Sequence, residues 1–206
     1  MVIVRFADDV VLGFEHEGDA QRFLAELRGR FATFGLELAE DKTRLIEFGR
    51  FAAERRARRG LGKPETFQFL GFTHICAKTR SGRFQLKRIT DAKRMRAKLR
   101  AVKTELWRRM HLPIPEHGRW LASVVRGHCA YYAVPGNIKA VAAFRDQVTW
   151  LWYRSLRRRS QRTSLNWEGM HRLATRWLAA PAQVSVRTRR SLMLRQHDRS
   201  LSRIRS

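Results

Sequence analysis

The apolar positions of this chain change their period along its length. Val2-Ile3-Val4 and Val10-Val11-Leu12 are short apolar runs, mostly β-branched, on either side of Phe6-Ala7-Asp8-Asp9. This predicts strand, tight turn, strand, because branched side chains fit a pleated surface and aspartates suit turns. From Gly18-Asp19 the spacing turns helical, with Ala20, Phe23, Leu24, Leu27, Phe31 and Phe34 on one face and Gly35 as the stop. A strand is expected over 43–48, a basic loop over 53–63, and a second hairpin from 66–75 and 83–86 around Ser81-Gly82.

Beyond residue 88 the pattern is helical. Thr90 and Asp91 open a helix whose apolar stripe is Met95, Leu99, Val102 and Leu106, and Pro113 and Pro115 end it. Further helices are expected over 116–132, 139–159 and 167–178, with Pro135-Gly136-Asn137 as a turn. Residues 181–206 are basic, and 182–206 hold no aromatic side chain; the stretch reads as a mobile tail. The expected fold class is α+β: a β-containing part over 1–88, then a helical bundle over 89–180.

Charge sharpens this picture. The 206 residues carry 43 Lys or Arg and 18 Asp or Glu, a net charge of +25. Residues 1–50 hold 7 basic and 10 acidic side chains, so the excess lies entirely in the later part. Such asymmetry fits a working part followed by a nucleic-acid cradle, since cations that neutralise phosphates release counterions. An arginine-rich composition alone would also arise from codon bias, with 35 Arg against 8 Lys. No apolar run approaches the roughly 20 residues of a membrane span. The N-terminal residues lack the pattern of a secretory leader. Cys76 and Cys129 are too far apart in sequence for a Cys-x-x-Cys site. A cytoplasmic protein with a polyanionic partner and no membrane association is the expectation.

Asp8 and Asp9 are the residues most suited to chemistry. An Asp pair in a turn is commonly just solvated, but two carboxylates on rigid strands also suit divalent metal ions in phosphoryl transfer. Among the helices, Arg94, Arg96, Lys98, Arg100, Lys103, Arg108 and Arg109 crowd one segment, and Arg154, Arg157, Arg158 and Arg159 another. Both are expected to meet nucleic-acid phosphates. Trp150 and Trp152 are expected in the bundle core, with the arginine run outside. His128 is expected to be packed rather than a ligand.

The motifs resemble those of one family. Phe6-Ala7-Asp8-Asp9 resembles the (Tyr/Phe)-Ala-Asp-Asp box of reverse transcriptases, with Phe in the place of the commoner Tyr. Gly35-Leu36-Glu37-Leu38 with Asp41-Lys42-Thr43 resembles the next palm motif, and Phe67-Gln68-Phe69-Leu70-Gly71-Phe72 the primer-contact segment. Arg126-Gly127-His128-Cys129-Ala130-Tyr131-Tyr132, Pro135-Gly136-Asn137 and Leu151-Trp152-Tyr153-Arg154-Ser155-Leu156 resemble the thumb, or maturase-specific domain, of group II intron proteins. Their order and spacing match over roughly residues 1–180.

The resemblance implies a palm segment followed by a helical thumb, and an RNA-directed DNA polymerase that also assists intron splicing. Asp8 and Asp9 would bind Mg²⁺. Lys42 would lie near the incoming triphosphate as a general acid, against the alternative of an ordinary surface lysine. Phe69, Leu70 and Gly71 would position the primer end. The implied partners are group II intron RNA, an RNA template with a DNA primer, and deoxynucleoside triphosphates. The family's third metal carboxylate and its fingers have no counterpart here, so the chain is expected to be a truncated fragment, inactive alone, that an upstream polypeptide completes. The alternatives are a non-enzymatic RNA-binding splicing factor that keeps only the thumb surface, and a decayed reading frame. Residues 183–193 are unlike the family's ending.

Overall fold

A two-residue connection, Ala7-Asp8, joins strands β1 (Val2–Phe6) and β2 (Asp9–Gly13) into an antiparallel hairpin that pairs Phe6 with Asp9, Val4 with Val11 and Val2 with Gly13. The computed structural model describes residues 1–159 and 165–178. There the chain continues through α1 (Glu17–Ala32), α2 (Ala52–Arg58), β3 (Phe67–Phe69), β4 (Phe72–Lys78), β5 (Phe84–Thr90), α3 (Ala92–Arg108), α4 (Ile114–Tyr132), α5 (Ile138–Arg157) and α6 (Trp167–Trp177). It divides into two compact units: residues 1–70 with 74–86, and residues 71–73 with those from 87 on. This is a mixed α and β structure, as expected. The tail expected over 181–206 lies outside the described residues.

In the first unit, α1 carries the predicted apolar face: Ala20 is buried, and Phe23, Leu24, Leu27 and Phe31 are half-buried. Phe34 falls beyond the helix end and is exposed, because Gly35 at φ 66° turns the chain there. Two expectations fail. Residues 43–48 form no strand; they are paired to no ladder and are held instead by contacts such as Phe48 edge-on to Phe67, at 5.0 Å. Within the expected loop 53–63 lies α2, whose Ala, Glu and Arg residues are good helix formers and whose Glu54 and Arg58 pair across one turn at 2.5 Å. Positive charge alone had hidden that propensity.

The second hairpin is split. The three-stranded sheet has the order β3-β4-β5, and connections this short allow only antiparallel neighbours. The expected strand 66–75 breaks at Leu70-Gly71, where φ is 50° and 75°. Two successive left-handed residues make the mirror-image turn that follows the twist of its strands.

The second unit has a continuous apolar core. Val102 and Leu106 of α3 pack with Leu121 and Val125 of α4, Phe144, Val148, Trp152 and Leu156 of α5, and Met170 and Ala174 of α6. Met95 and Leu99 extend the predicted α3 stripe, half-buried. The Asp91 carboxylate caps α3 by accepting from the Arg94 amide at 2.8 Å. Pro113 stands before α4 and Pro115 in its first turn, where a missing N–H costs nothing; they do not end α3, which stops earlier, at Arg108, so here the prolines begin a helix. Asn137, fully buried, accepts from the Thr90 amide (2.9 Å) and donates to Thr90 Oγ1 and the Tyr132 carbonyl (both 2.8 Å), fixing the α4–α5 turn to the start of α3.

Candidate metal-binding hairpin and nucleic-acid interface

The β1–β2 tip presents its carboxylates to solvent. Asp8 is the second turn residue and Asp9 the first residue of β2; both are exposed. Ala7 has φ 53°, a left-handed conformation at the position where a two-residue hairpin usually places Gly. The Arg5 guanidinium supports it, with Nε donating to the Ala7 carbonyl at 2.9 Å. A side-chain period of two puts Asp9 on the hairpin face that holds Phe6, Val4 and Val11, and Phe6 itself is exposed.

Among the described residues, no group of three or more His, Cys, Asp or Glu side chains gathers at a metal-sized site. Asp8 and Asp9 therefore stand as a pair. Adjacent exposed carboxylates still fit Mg²⁺, which takes one or two of them and completes its shell with water and substrate phosphates. Lys42 is exposed in a turn closed by its own amide on the Ala39 carbonyl at 3.0 Å. Among the described residues, no ion pair joins it to Asp8 or Asp9.

The Phe69-Leu70-Gly71 segment is the tip between β3 and β4. Phe69 and Leu70 are half-buried. Gly71 is buried, and a Cβ there would lie 2.7 Å from Tyr132 Oη, so both its φ and its surroundings demand Gly. Its carbonyl accepts from the Asp91 amide at 2.9 Å, which ties the turn to the cap of α3.

On the helical unit the cations separate into two kinds. Arg94, Arg96, Lys98, Arg100, Lys103 and Arg108 are exposed along α3, and Arg154, Arg157 and Arg158 are exposed near the C-terminus of α5, the helix end that favours positive charge. Arg109 and Arg159 are half-buried and engaged. Arg109 Nε donates to Glu105 at 2.7 Å, and its guanidinium lies 4.9 Å over Trp120. Arg159 Nη2 donates to the Leu112 carbonyl at 2.6 Å and lies 2.9 Å from His117 Nε2. His117 is fully buried, with Nε2 2.5 Å from the Arg109 carbonyl. Burial holds its pKa below the ordinary value; the bond to that carbonyl opposes the shift, and the smaller effects of the Arg159 and Arg109 charges add to it. Arg109, His117 and Arg159 thus lock the α3–α4 connection to the end of α5.

His128 is packed as expected. Its ring stacks on Phe144 at 3.7 Å, and burial, aided by Lys98, lowers its pKa to about 4. Trp152 is fully buried, but Trp150 is not: it is 44% exposed, beneath the Arg154 guanidinium at 4.7 Å. The buried positions Val141, Phe144, Val148, Trp152 and Leu156 recur at three and four residues, so Trp150 falls opposite that stripe. Periodicity would have placed it outside; its size and apolar character pointed inward. Trp107, 64% exposed beside the buried Leu106, was likewise not recognised.

No match was found among curated proteins or among solved structures. Residues 1–74, which contain the Asp8–Asp9 hairpin and reach into β4, match the family model described as reverse transcriptase (RNA-dependent DNA polymerase).

Proposed function

We propose that the chain is of group II intron reverse-transcriptase type: an RNA-directed DNA polymerase palm hairpin followed by a helical thumb that also binds the intron RNA as a maturase. The observation that carries this reading is an Asp-Asp pair at the tip of a two-stranded hairpin, inside the stretch that matches reverse transcriptases. Asp8 and Asp9 would hold Mg²⁺, which when bound would offset charge on the reacting phosphates. Lys42 would meet the triphosphate and protonate the departing pyrophosphate. Phe69, Leu70 and Gly71 would seat the primer end on a turn that leaves little freedom. The exposed cations of α3 and α5 would hold RNA phosphates. Arg109 and Arg159 contribute by keeping those helices together.

Two measurements test the reading. Mn²⁺, a paramagnetic stand-in for Mg²⁺, is expected to broaden the amide resonances of residues 6–9 in the wild type and not in the Asp8→Asn, Asp9→Asn double variant; equal broadening in both would remove the metal assignment. Structured group II intron RNA is expected to out-compete a random RNA of equal length, because shape adds to charge. Equal competition would remove the maturase assignment and leave a generic polyanion surface.

A further inference from the structure

Trp107 and Trp150 are large indoles left in solvent by a unit that buries Trp152 completely. Both line one groove between α3 and α5, of about 410 Å³, together with Leu106, Lys103, Arg154 and Arg158. Trp107 and Lys103 also border a neighbouring hollow of about 540 Å³, whose other charged walls are Arg100 and Arg108. Neither lining contains a carboxylate. Each indole already carries a guanidinium near one face: Arg154 lies 4.7 Å from the Trp150 centroid and Arg158 lies 5.7 Å from that of Trp107. These contacts hold the rings and the cations in place before any ligand arrives.

A flat aromatic face flanked by fixed cations, with no anion nearby, is the combination that receives a nucleotide: the ring stacks on the base and the cation meets the phosphate. Duplex bases are already stacked on one another and offer no free face. An unpaired strand does. Ser155 is the groove's hydroxyl, and it is turned to the Leu106 carbonyl at 3.5 Å, so little is left to read base edges. Resting on the reading that the helical unit binds RNA, we propose that the α3–α5 groove captures unpaired nucleobases of single-stranded RNA, with Trp107 and Trp150 as stacking platforms and Lys103, Arg154 and Arg158 on the adjoining phosphates. The site is tolerant of base identity.

The test uses the full chain and a 5′-labelled, unstructured 12-nucleotide RNA, read by fluorescence anisotropy over a salt series. Trp107→Ala and Trp150→Ala are each expected to weaken binding by roughly five- to 150-fold, the span of single-base stacking. The slope of log K against log salt stays unchanged, because no phosphate contact is lost. Trp→Phe at either position recovers most of the affinity. An abasic strand of equal length is expected to bind the wild type as weakly as the double Ala variant binds the normal strand. Both tryptophans lie outside the core, so the variants are expected to keep the wild-type helical circular dichroism. Unaltered affinity in the Ala variants, with the wild-type salt slope intact, overturns the groove while the RNA-binding reading stands. Failure of the wild type to bind any RNA at low salt overturns both. Equal competition by an RNA duplex or by polyglutamate shows a generic polyanion face and overturns the groove.

Discussion

His128 shows how one side chain can set a pH response without touching a ligand. Its ring lies against Phe144, its Nε2 is buried without a hydrogen-bond partner, and its pKa falls to about 4. In the unfolded chain the same group titrates near 6.5. Between those values the unfolded state binds the extra proton, so stability is fully present above pH 6.5 and is lost as pH falls toward 4. His117, also lowered by burial, acts in the same direction. Urea denaturation at pH 7 and pH 4 is expected to show the wild type losing up to roughly 3 kcal/mol more than His128→Leu. Equal losses would place the acid sensitivity elsewhere.

At the scale of elements, the exposed end of α5 and the clamp just beyond it have different jobs despite one arginine run. Arg157 and Arg158 are exposed, whereas Arg159 is held by the Leu112 carbonyl and His117. Replacing Arg157 and Arg158 with Gln is expected to flatten the salt dependence of RNA binding by about one and a half to two units in log–log slope, with thermal stability unchanged. Arg159→Gln is expected to lower the melting midpoint and leave the slope almost intact; the reverse pattern would overturn the division. Sequence could not make it, because the three arginines differ only in what the α3–α4 connection and the start of α4 bring to them. The helical stripes were legible because a core face repeats at three and four residues, from Met95 to Leu106 and again along α5. Absence of a strand at 43–48 was not legible, since a strand exists only through a partner that its own residues do not specify. The break at Leu70-Gly71 was half visible in Gly71, but Leu70 at φ 50° gave no local sign. Of the candidate site, the Asp8–Asp9 tip was readable from a turn between two apolar, mostly β-branched runs; the groove was not, because it needs two helices to face each other.

Over the whole molecule, apolar burial is uneven. Among the described residues, every buried Leu, Val, Phe, Trp and Met lies in the second unit, whereas the first unit buries Ala20 and Ala52. Val2 (65% exposed), Ile3 (56%) and Phe6 (62%) leave β1 with little to hold it beyond its pairing with β2. A lone two-stranded hairpin is marginal in water. Hydrogen exchange is expected to reveal this as unequal protection. Amides of residues 2–13 should exchange close to the rate of an open peptide, and those of residues 121–130 and 141–156 orders of magnitude more slowly. Uniform protection across both units would contradict the difference in burial.

The backbone of Ala7 carries a consequence for which changes the hairpin tolerates. A methyl group neither ligates a cation nor moves a proton, yet at φ 53° its identity is constrained. Gly adopts that conformation freely and Asn or Asp at modest cost, while Val, Ile or Thr would clash with the neighbouring carbonyl. In a library of all substitutions, position 7 would therefore score as intolerant of ordinary hydrophobic exchange. The cause would be shape and not reactivity: a residue without chemistry, held to a short list by the turn it occupies.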